Sequence, residues 1–173
     1  MNKKLIALAL LAGSTFAGVA NAADGTINFT GNITSAACTI TPASEIQTVA
    51  LGTVSSTGLG AVGDTSAPTK FDVVLTSCPA AATSAVVKFD GPSDADNASL
   101  LAITGGTGAA SGVGIGLYES DAATLIPVGS ESASKTLSTT ADTTFTFYAK
   151  YMATAAVTEG SANAVSDFTV VYN

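Results

Sequence analysis

The sequence predicts an all-β domain, a β-sandwich of immunoglobulin-like architecture. Many short segments alternate apolar and polar side chains, a pattern typical of strands with one face on a core. Turn-forming clusters such as Asp90-Gly91-Pro92-Ser93 separate these segments. Helical periodicity is nearly absent after residue 22. Short alternating strands divided by turns favour a sandwich over a helical or mixed fold.

The first 22 residues have the pattern of a secretory signal peptide. Lys3 and Lys4 precede an apolar run from Leu5 to Leu11, and Ala20-Asn21-Ala22 forms a small-x-small cleavage site. The run is shorter than the roughly 20 apolar residues that cross a bilayer, and no later segment comes closer. We therefore expect export, cleavage and a mature chain that begins at Ala23.

The mature chain is one acidic domain by size and charge. It has 173 − 22 = 151 residues, enough for a single domain with its own core. Its four lysines and thirteen acidic residues give a net charge of 4 − 13 = −9, and the sequence contains no arginine. Such a surface repels phosphate, so we expect no nucleic acid partner.

Four segments carry the clearest strand alternation, and five others carry it more weakly. The stronger set places large apolar residues at every second position. Its inward residues are Phe71, Val73 and Leu75; Ala85, Val87 and Phe89; Phe145, Phe147, Ala149, Tyr151 and Ala153; and Phe168, Val170 and Tyr172. The weaker candidates are residues 48–51, 100–104, 113–118, 124–128 and 134–138.

Two cysteines, Cys38 and Cys78, lie in the exported part of the chain. An oxidising compartment favours a disulfide between them over a free, reactive pair. The bond closes a loop of 78 − 38 = 40 residues, for which chain entropy gives about 3 to 4 kcal/mol. Without histidine, the two cysteines do not make a usual zinc site.

Residues 25–33 alternate strictly and predict an extended strand. Ile27, Phe29, Gly31 and Ile33 share one face of it, and threonine and asparagine occupy the other. Taken alone, this pattern favours the first strand of the sandwich. The alternative is a strand that pairs with a sheet edge in another molecule, because nothing connects the front of the mature chain to the fold.

Residue types needed for catalysis and metal binding are missing. The sequence has no histidine, arginine or tryptophan, which excludes a Ser-His-Asp or Cys-His arrangement, so we expect neither enzyme activity nor a cofactor or small-molecule substrate. Asp90, Asp94 and Asp96 depart from calcium-loop spacing and predict a solvated turn. Tyr148 and Tyr151 are more typical of a core or subunit contact than of a platform that binds sugar.

Several motifs in one order resemble the type 1 fimbrial pilin family. Gly-x-Ile-x-Phe-x-Gly-x-Ile at 25–33 precedes Ala36-Ala37-Cys38, Val49-Ala50-Leu51-Gly52 follows, and Phe71 to Cys78 carries the second cysteine. The last residues are Phe168-Thr169-Val170-Val171-Tyr172-Asn173. Tyr172 is penultimate and Gly160 is fourteenth from the end, which is the family's C-terminal pattern.

The resemblance implies an incomplete immunoglobulin-like β-sandwich that a donor strand from another subunit completes. It implies a structural subunit of a bacterial surface fimbria, exported through the periplasm to the cell surface, which polymerises by donor-strand exchange and supports adhesion. The implied partners are other pilin subunits, a periplasmic chaperone and an outer-membrane usher. The implied division is a cleaved signal at 1–22, a donor extension at 23–37 and a pilin domain at 38–173.

Within this resemblance, particular residues acquire roles. Ile27, Phe29, Gly31 and Ile33 are the expected donor face. The expected acceptor groove and chaperone contact contain Gly160, Phe168, Val170 and Tyr172.

Two alternatives to a shaft subunit stay open. One is a minor or tip-adaptor pilin; only fifteen residues, 23–37, precede the first cysteine, too few for a receptor domain of a tip adhesin. The other is an exported β-sandwich that binds a partner without polymerising.

Overall fold

A computed structural model describes residues 25–31, 33 and 37–173. The predicted signal peptide lies outside the described residues. The chain divides into two units, Met1–Ile33 and Thr34–Asn173. In the part of the chain that is described, no helix is long and apolar enough to span a membrane.

The second unit is a sandwich of two antiparallel sheets. The larger sheet has the order β1-β2-β8-β5-β4, and β6 also pairs with β5. The smaller sheet has the order β7-β3-β9. The strands are β1 (Thr39–Ile40), β2 (Thr69–Thr76), β3 (Ser84–Asp90), β4 (Leu101–Ala102), β5 (Ser111–Tyr118), β6 (Leu125–Ile126), β7 (Lys135–Thr136), β8 (Thr143–Thr158) and β9 (Asp167–Tyr172).

Two short helical turns lie between β1 and β2. A four-residue helix, α1, spans Pro42–Glu45, and a 3₁₀ turn spans Ser56–Leu59. Proline suits the first turn of α1 because the backbone N–H that it lacks has no helical partner there. The buried hydroxyl of Ser44 accepts a hydrogen bond from the Val74 N–H at 2.9 Å. That side chain continues the contact with β2 after the two-residue strand β1 has ended.

The core lies between the two sheets. Phe71 of β2 and Phe147 of β8 come from the larger sheet, and Phe89 of β3 comes from the smaller one. The Phe89 and Phe147 rings meet edge to face with centroids 5.0 Å apart. Val73 and Leu75 are fully buried beside them. The alternation seen in the sequence therefore places its apolar face between the sheets, as predicted.

A disulfide joins Cys38 to Cys78. Both cysteines are buried in the core cluster, next to the pairing of β1 with the end of β2. The predicted bond is confirmed. It links the residue just before β1 to the chain just after β2, the strand with which β1 pairs. The bond closes a loop of 40 residues, for which chain entropy gives about 3 to 4 kcal/mol.

The four clearest predicted strands are all present, and four of the five weaker ones form in shortened or extended form. The exception is residues 48–51, which belong to no strand. The extended strand predicted over residues 25–33 is also absent from the described residues of that segment. A strand needs a partner for its ladder of hydrogen bonds, and alternation alone does not supply one.

Candidate functional site

A long apolar groove opens along one side of the sandwich. Residues 44–52 form one lip, and residues 162–166, which lead into β9, form the other together with Phe168. The cleft between them has a volume of about 690 Å³. Its floor is the core itself: Phe71, Phe89, Ile115, Leu117, Ala149 and Tyr151.

Strand β9 forms one edge of this groove and has ladder partners on one side. Asn173 exchanges two hydrogen bonds with Ser84, so every second residue back along β9 faces β3. The intervening residues, Phe168, Val170 and Tyr172, turn their backbone groups away from β3, to the free edge of the sheet. Three residues with one N–H and one C=O each leave 3 × 2 = 6 polar groups for which the described residues offer no ladder partner.

The opposite lip has the same property. Residues 47–54 make no backbone hydrogen bond to any other described residue. Val49 and Leu51 are half-buried against the core, whereas Thr48 and Ala50 are exposed. This is the side-chain alternation of a strand without its ladder, which explains why the predicted strand at 48–51 is not formed.

A second cleft continues the groove past the N-terminal end of β9, along the residues that precede this strand. Its volume is about 520 Å³, and its walls include Leu59, Val113, Val157 and Gly160. Four residues line both clefts: Gly52, Tyr151, Ala162 and Asn163. The two clefts are therefore consecutive parts of one groove.

Charged groups are sparse along this groove. Among the described lining residues, the carboxylates are Glu45 in the first cleft and Glu159 in the second, and both are exposed. Burial raises the pKa of the Tyr151 hydroxyl, and this hydroxyl donates a hydrogen bond to the Ala162 carbonyl at 2.9 Å. The groove thus fits an uncharged, extended segment that buries apolar side chains and offers backbone hydrogen bonds.

Two of the four residues predicted for the acceptor side line this groove. Phe168 lines the first cleft, and Gly160 lines the second. Val170 and Tyr172 extend β9 beyond the first cleft and pack against the core. Val170 and Tyr172 line neither cleft, so the acceptor role of the four residues stays a prediction.

The predicted donor residues lie in the other unit. Residues 25–31 and 33 are all exposed. Ile27 is 79% exposed, Phe29 90% and Ile33 fully exposed. All three large apolar side chains of the predicted donor face are therefore exposed.

Sequence reasoning missed most of the groove floor. Alternation assigned Phe71, Phe89, Ala149 and Tyr151 to the inward face, and an open side of the core was expected only from the family resemblance. Tyr148 and Tyr151 do not form a common platform, because residues three apart on β8 point to opposite faces. Tyr151 lines the groove.

The acidic turn after β3 has a local structural role. Asp94 accepts hydrogen bonds from the backbone N–H groups of Asp96 and Asn97, at 3.1 and 3.0 Å. These are the bonds of a side-chain-capped turn. The solvated turn predicted there is what the described residues form.

Comparison with known proteins identifies the family. A model of the family described as fimbrial protein matches residues 27–173. The chain belongs to this family. Fimbrial proteins are structural subunits, and the immunoglobulin-like sandwich predicted from sequence is the fold of their solved relatives.

Two curated relatives show how far the similarity extends. The probable major fimbrial subunit LpfA of Escherichia coli O157:H7 is 40% identical over 170 residues, covering 97% of this chain and 93% of that protein. The type-1 fimbrial protein A chain of Salmonella typhi is 37% identical over 183 residues, covering 99% and 100%. The similarity therefore runs through both the 25–33 segment and the sandwich.

Two solved structures share the fold. A crystal structure of an antigen and type I fimbria protein from Burkholderia pseudomallei has a TM-score of 0.61 at 39% identity, over 86% of this chain and 97% of that one. The P pilus rod subunit PapA has a TM-score of 0.66 at 26% identity, over 79% and 99%.

Proposed function

We propose that this fimbrial protein is a shaft subunit of a bacterial surface fimbria, which polymerises when residues 23–37 of one copy fill the groove of another. The observation that carries the proposal is the groove with two unpaired edges, residues 47–54 and β9. An added strand between them satisfies both edges and closes the core. Residues 38–173 are then the pilin domain that receives the strand.

The donor face matches the chemistry of the groove. Ile27, Phe29 and Ile33 supply large apolar side chains, and each contributes about 1.5 to 3 kcal/mol when fully buried. Hydrogen bonds to the free edge of β9 add about 0.5 to 1.5 kcal/mol each. Burial of one donor side chain therefore stabilises the contact between two subunits more than any one of these hydrogen bonds does. The opposite face of the donor strand, with threonine and asparagine, stays towards solvent.

The proposal includes two partners that bring a subunit into the fibre, a periplasmic chaperone and an outer-membrane usher. An open groove exposes core side chains and an unpaired strand edge, which promotes aggregation of a lone subunit. A periplasmic chaperone that covers β9, with Tyr172 and Val170 in its reach, protects the subunit during export. An outer-membrane usher then exchanges the chaperone for the next donor strand. Similarity to major and rod subunits favours the shaft over a tip-adaptor position.

A single substitution on the donor face tests the proposal. We expect Phe29→Asp to abolish surface fibres, because a carboxylate then replaces the largest buried side chain and cannot be paired in an apolar groove. Thr30→Asp is the matched control, since it places the same charge on the solvent face. Electron microscopy and shearing of fibres from cells measure the yield.

The outcomes separate polymerisation from simple export. Normal fibres from Phe29→Asp, or equal loss from Phe29→Asp and Thr30→Asp, would contradict the donor face. A mature chain that purifies as a monodisperse, highly stable monomer would contradict strand exchange altogether and favour a self-contained binding module.

A further inference from the structure

The chain leaves the edge of β2 after Thr41 and forms a lip of the groove at residues 47–54. The Thr41 N–H donates a hydrogen bond to the Val74 carbonyl at 3.1 Å, and Pro42 then begins α1. The lip itself makes no backbone hydrogen bond to any other described residue. A contact that holds residues 42–46 therefore fixes where the lip begins.

The Ser44 hydroxyl makes such a contact. This side chain is 3% exposed, and its hydroxyl accepts hydrogen bonds from the Val74 N–H at 2.9 Å and from the Thr41 hydroxyl at 3.0 Å. It donates to the Asp72 carbonyl at 3.4 Å. A serine hydroxyl has one donor and two acceptor positions, so all three positions are used.

A longer β1 would satisfy the same groups of β2 with backbone. The register of the two strands, continued beyond Thr41, places Ala43 opposite Asp72. The chain turns away instead, and the Thr41 carbonyl accepts from the Ser44 N–H at 2.8 Å within the helical turn. The Ser44 hydroxyl thereby pairs the Val74 N–H, which this turn would otherwise leave without its ladder partner.

A second buried serine makes the same kind of bond away from the groove. Ser132 is 7% exposed, and its hydroxyl accepts from the Val87 N–H at 2.9 Å. Val87 belongs to β3, and Ser132 lies on the side of β3 that pairs with β7. Ser44 lines the first cleft, whereas Ser132 lines neither cleft. The two serines are therefore a matched pair that differs in its distance from the groove.

We propose that Ser44 is a positioning residue of the groove, whose hydroxyl fixes the start of the lip so that the backbone of residues 47–54 is in register with an incoming strand. This inference rests on the proposed function. Val49 and Leu51 pack against the core, but apolar contacts are not directional and set no register. The Gln47 amide bonds the same carbonyl as Ser44, at 3.3 Å, but in an exposed position where water competes.

Matched serine substitutions in the full chain test this role. We expect the amides of residues 47–54 in Ser44→Ala fibres to exchange hydrogen about tenfold faster than in wild-type fibres, because the lip pairs less firmly with the added strand. Ser132→Ala removes the equivalent bond and leaves exchange at residues 47–54 unchanged. Hydrogen exchange of sheared fibres, followed by mass spectrometry, measures the rates. Loss of fibres from Ser44→Ala alone, with its disulfide-bonded subunit still present in cells, also supports the role.

Three results overturn the role of Ser44. They are wild-type exchange at residues 47–54 in Ser44→Ala fibres, an equal rise in Ser132→Ala fibres, and loss of the disulfide-bonded subunit itself from cells that express Ser44→Ala. Failure of the proposed function appears separately, in the wild type. If residues 47–54 of wild-type fibres exchange as fast as the exposed turn at Thr107, no strand has been added to this lip.

Discussion

At the scale of single residues, Gly160 occupies a position where the neighbouring backbone leaves no room for a side chain. A Cβ at this position would lie 2.3 Å from the Ala110 nitrogen and 2.7 Å from the Gly108 carbonyl oxygen. The φ of Gly160 is +155°, which side chains rarely adopt. The residue joins β8 to the segment that leads into β9, and its neighbour Ser161 exchanges hydrogen bonds with residues 108 and 110.

Substitution of Gly160 should therefore destabilise the subunit. We expect Gly160→Ala to lower the free energy of unfolding by about 1 to 3 kcal/mol, because backbone must shift to admit the methyl group. Gly105→Ala is a matched control, since nothing lies within 4 Å of a Cβ built there and its φ is not positive. The denaturation midpoint of assembled fibres in guanidinium chloride measures the effect. Equal midpoints for the two variants would contradict this prediction, because they would show that the backbone of residues 108–110 shifts without loss of stability.

At the scale of elements, the strands hold every lysine of the predicted mature chain. Lys70 and Lys88 pair with Asp72 and Asp90 at 2.9 Å, each on its own strand. Lys135 donates to the Thr144 carbonyl. Lys150 donates to the Ala122 carbonyl at 3.0 Å and lies over the Tyr118 ring. The strands that carry them are β2, β3, β7 and β8.

This placement predicts resistance to trypsin. The enzyme cleaves after lysine or arginine in an extended, accessible backbone, and the sequence has no arginine. Strand pairing occupies the backbone at each lysine, so cleavage requires local unfolding. We expect fibres to survive a trypsin digestion that cuts reduced, heated subunits at all four sites, as seen by mass spectrometry.

An added site in a loop is the control for that experiment. Thr107 lies in the exposed turn between β4 and β5. Fibres of Thr107→Lys should be cut after residue 107 and nowhere else. Cleavage of wild-type fibres at Lys70 or Lys150 under the same conditions would show that these strands open readily.

At the scale of the whole molecule, the charge of the protein hardly changes near neutral pH. The sequence has no histidine, and its lysines, tyrosines and carboxyl groups ordinarily titrate well away from pH 6. Three hydrogen bonds, two from Thr124 and one from the Ala123 N–H, lower the pKa of Asp121 to about 2. Burial alone would raise the pKa of Asp72, but hydrogen bonds from Thr146 and Lys70 outweigh it, and the pKa falls.

The sign of these shifts sets the pH dependence of stability. A carboxyl group whose pKa is lower in the folded state stabilises the fold above the unfolded pKa, which is 3.8 for Asp121. That contribution disappears as the pH falls towards 2. We expect a constant denaturation midpoint for fibres between pH 5 and 7 and a decline below pH 4.

The Asp121→Asn variant checks the origin of the decline. The amide keeps the shape of the side chain but does not titrate, so its midpoint should fall less steeply between pH 4 and 2 than that of the wild type. A midpoint that changes between pH 5 and 7 would reveal a titrating group that these residues do not explain.

Much of this protein could be predicted from the amino-acid sequence. Alternation over Phe71 to Leu75 and Phe145 to Ala153 determined which side chains form the core, because a strand turns every second residue to the same face. Export context and cysteine count determined the Cys38–Cys78 bond, which the structure contains. The order of motifs from residue 25 to residue 173 determined the family.

Only the tertiary structure showed which residues line the opening of the sandwich. Residues 48–51 have the alternation of a strand, yet they form none, because the partner that would complete their ladder is not among the described strands. Tyr151 has the pattern of a core residue, and its position between two clefts depends on residues 52 and 162 reaching it from distant parts of the chain. The sequence pattern identifies which face of a strand is apolar. The absence of a neighbouring strand is known only from the positions of all the other strands in the fold.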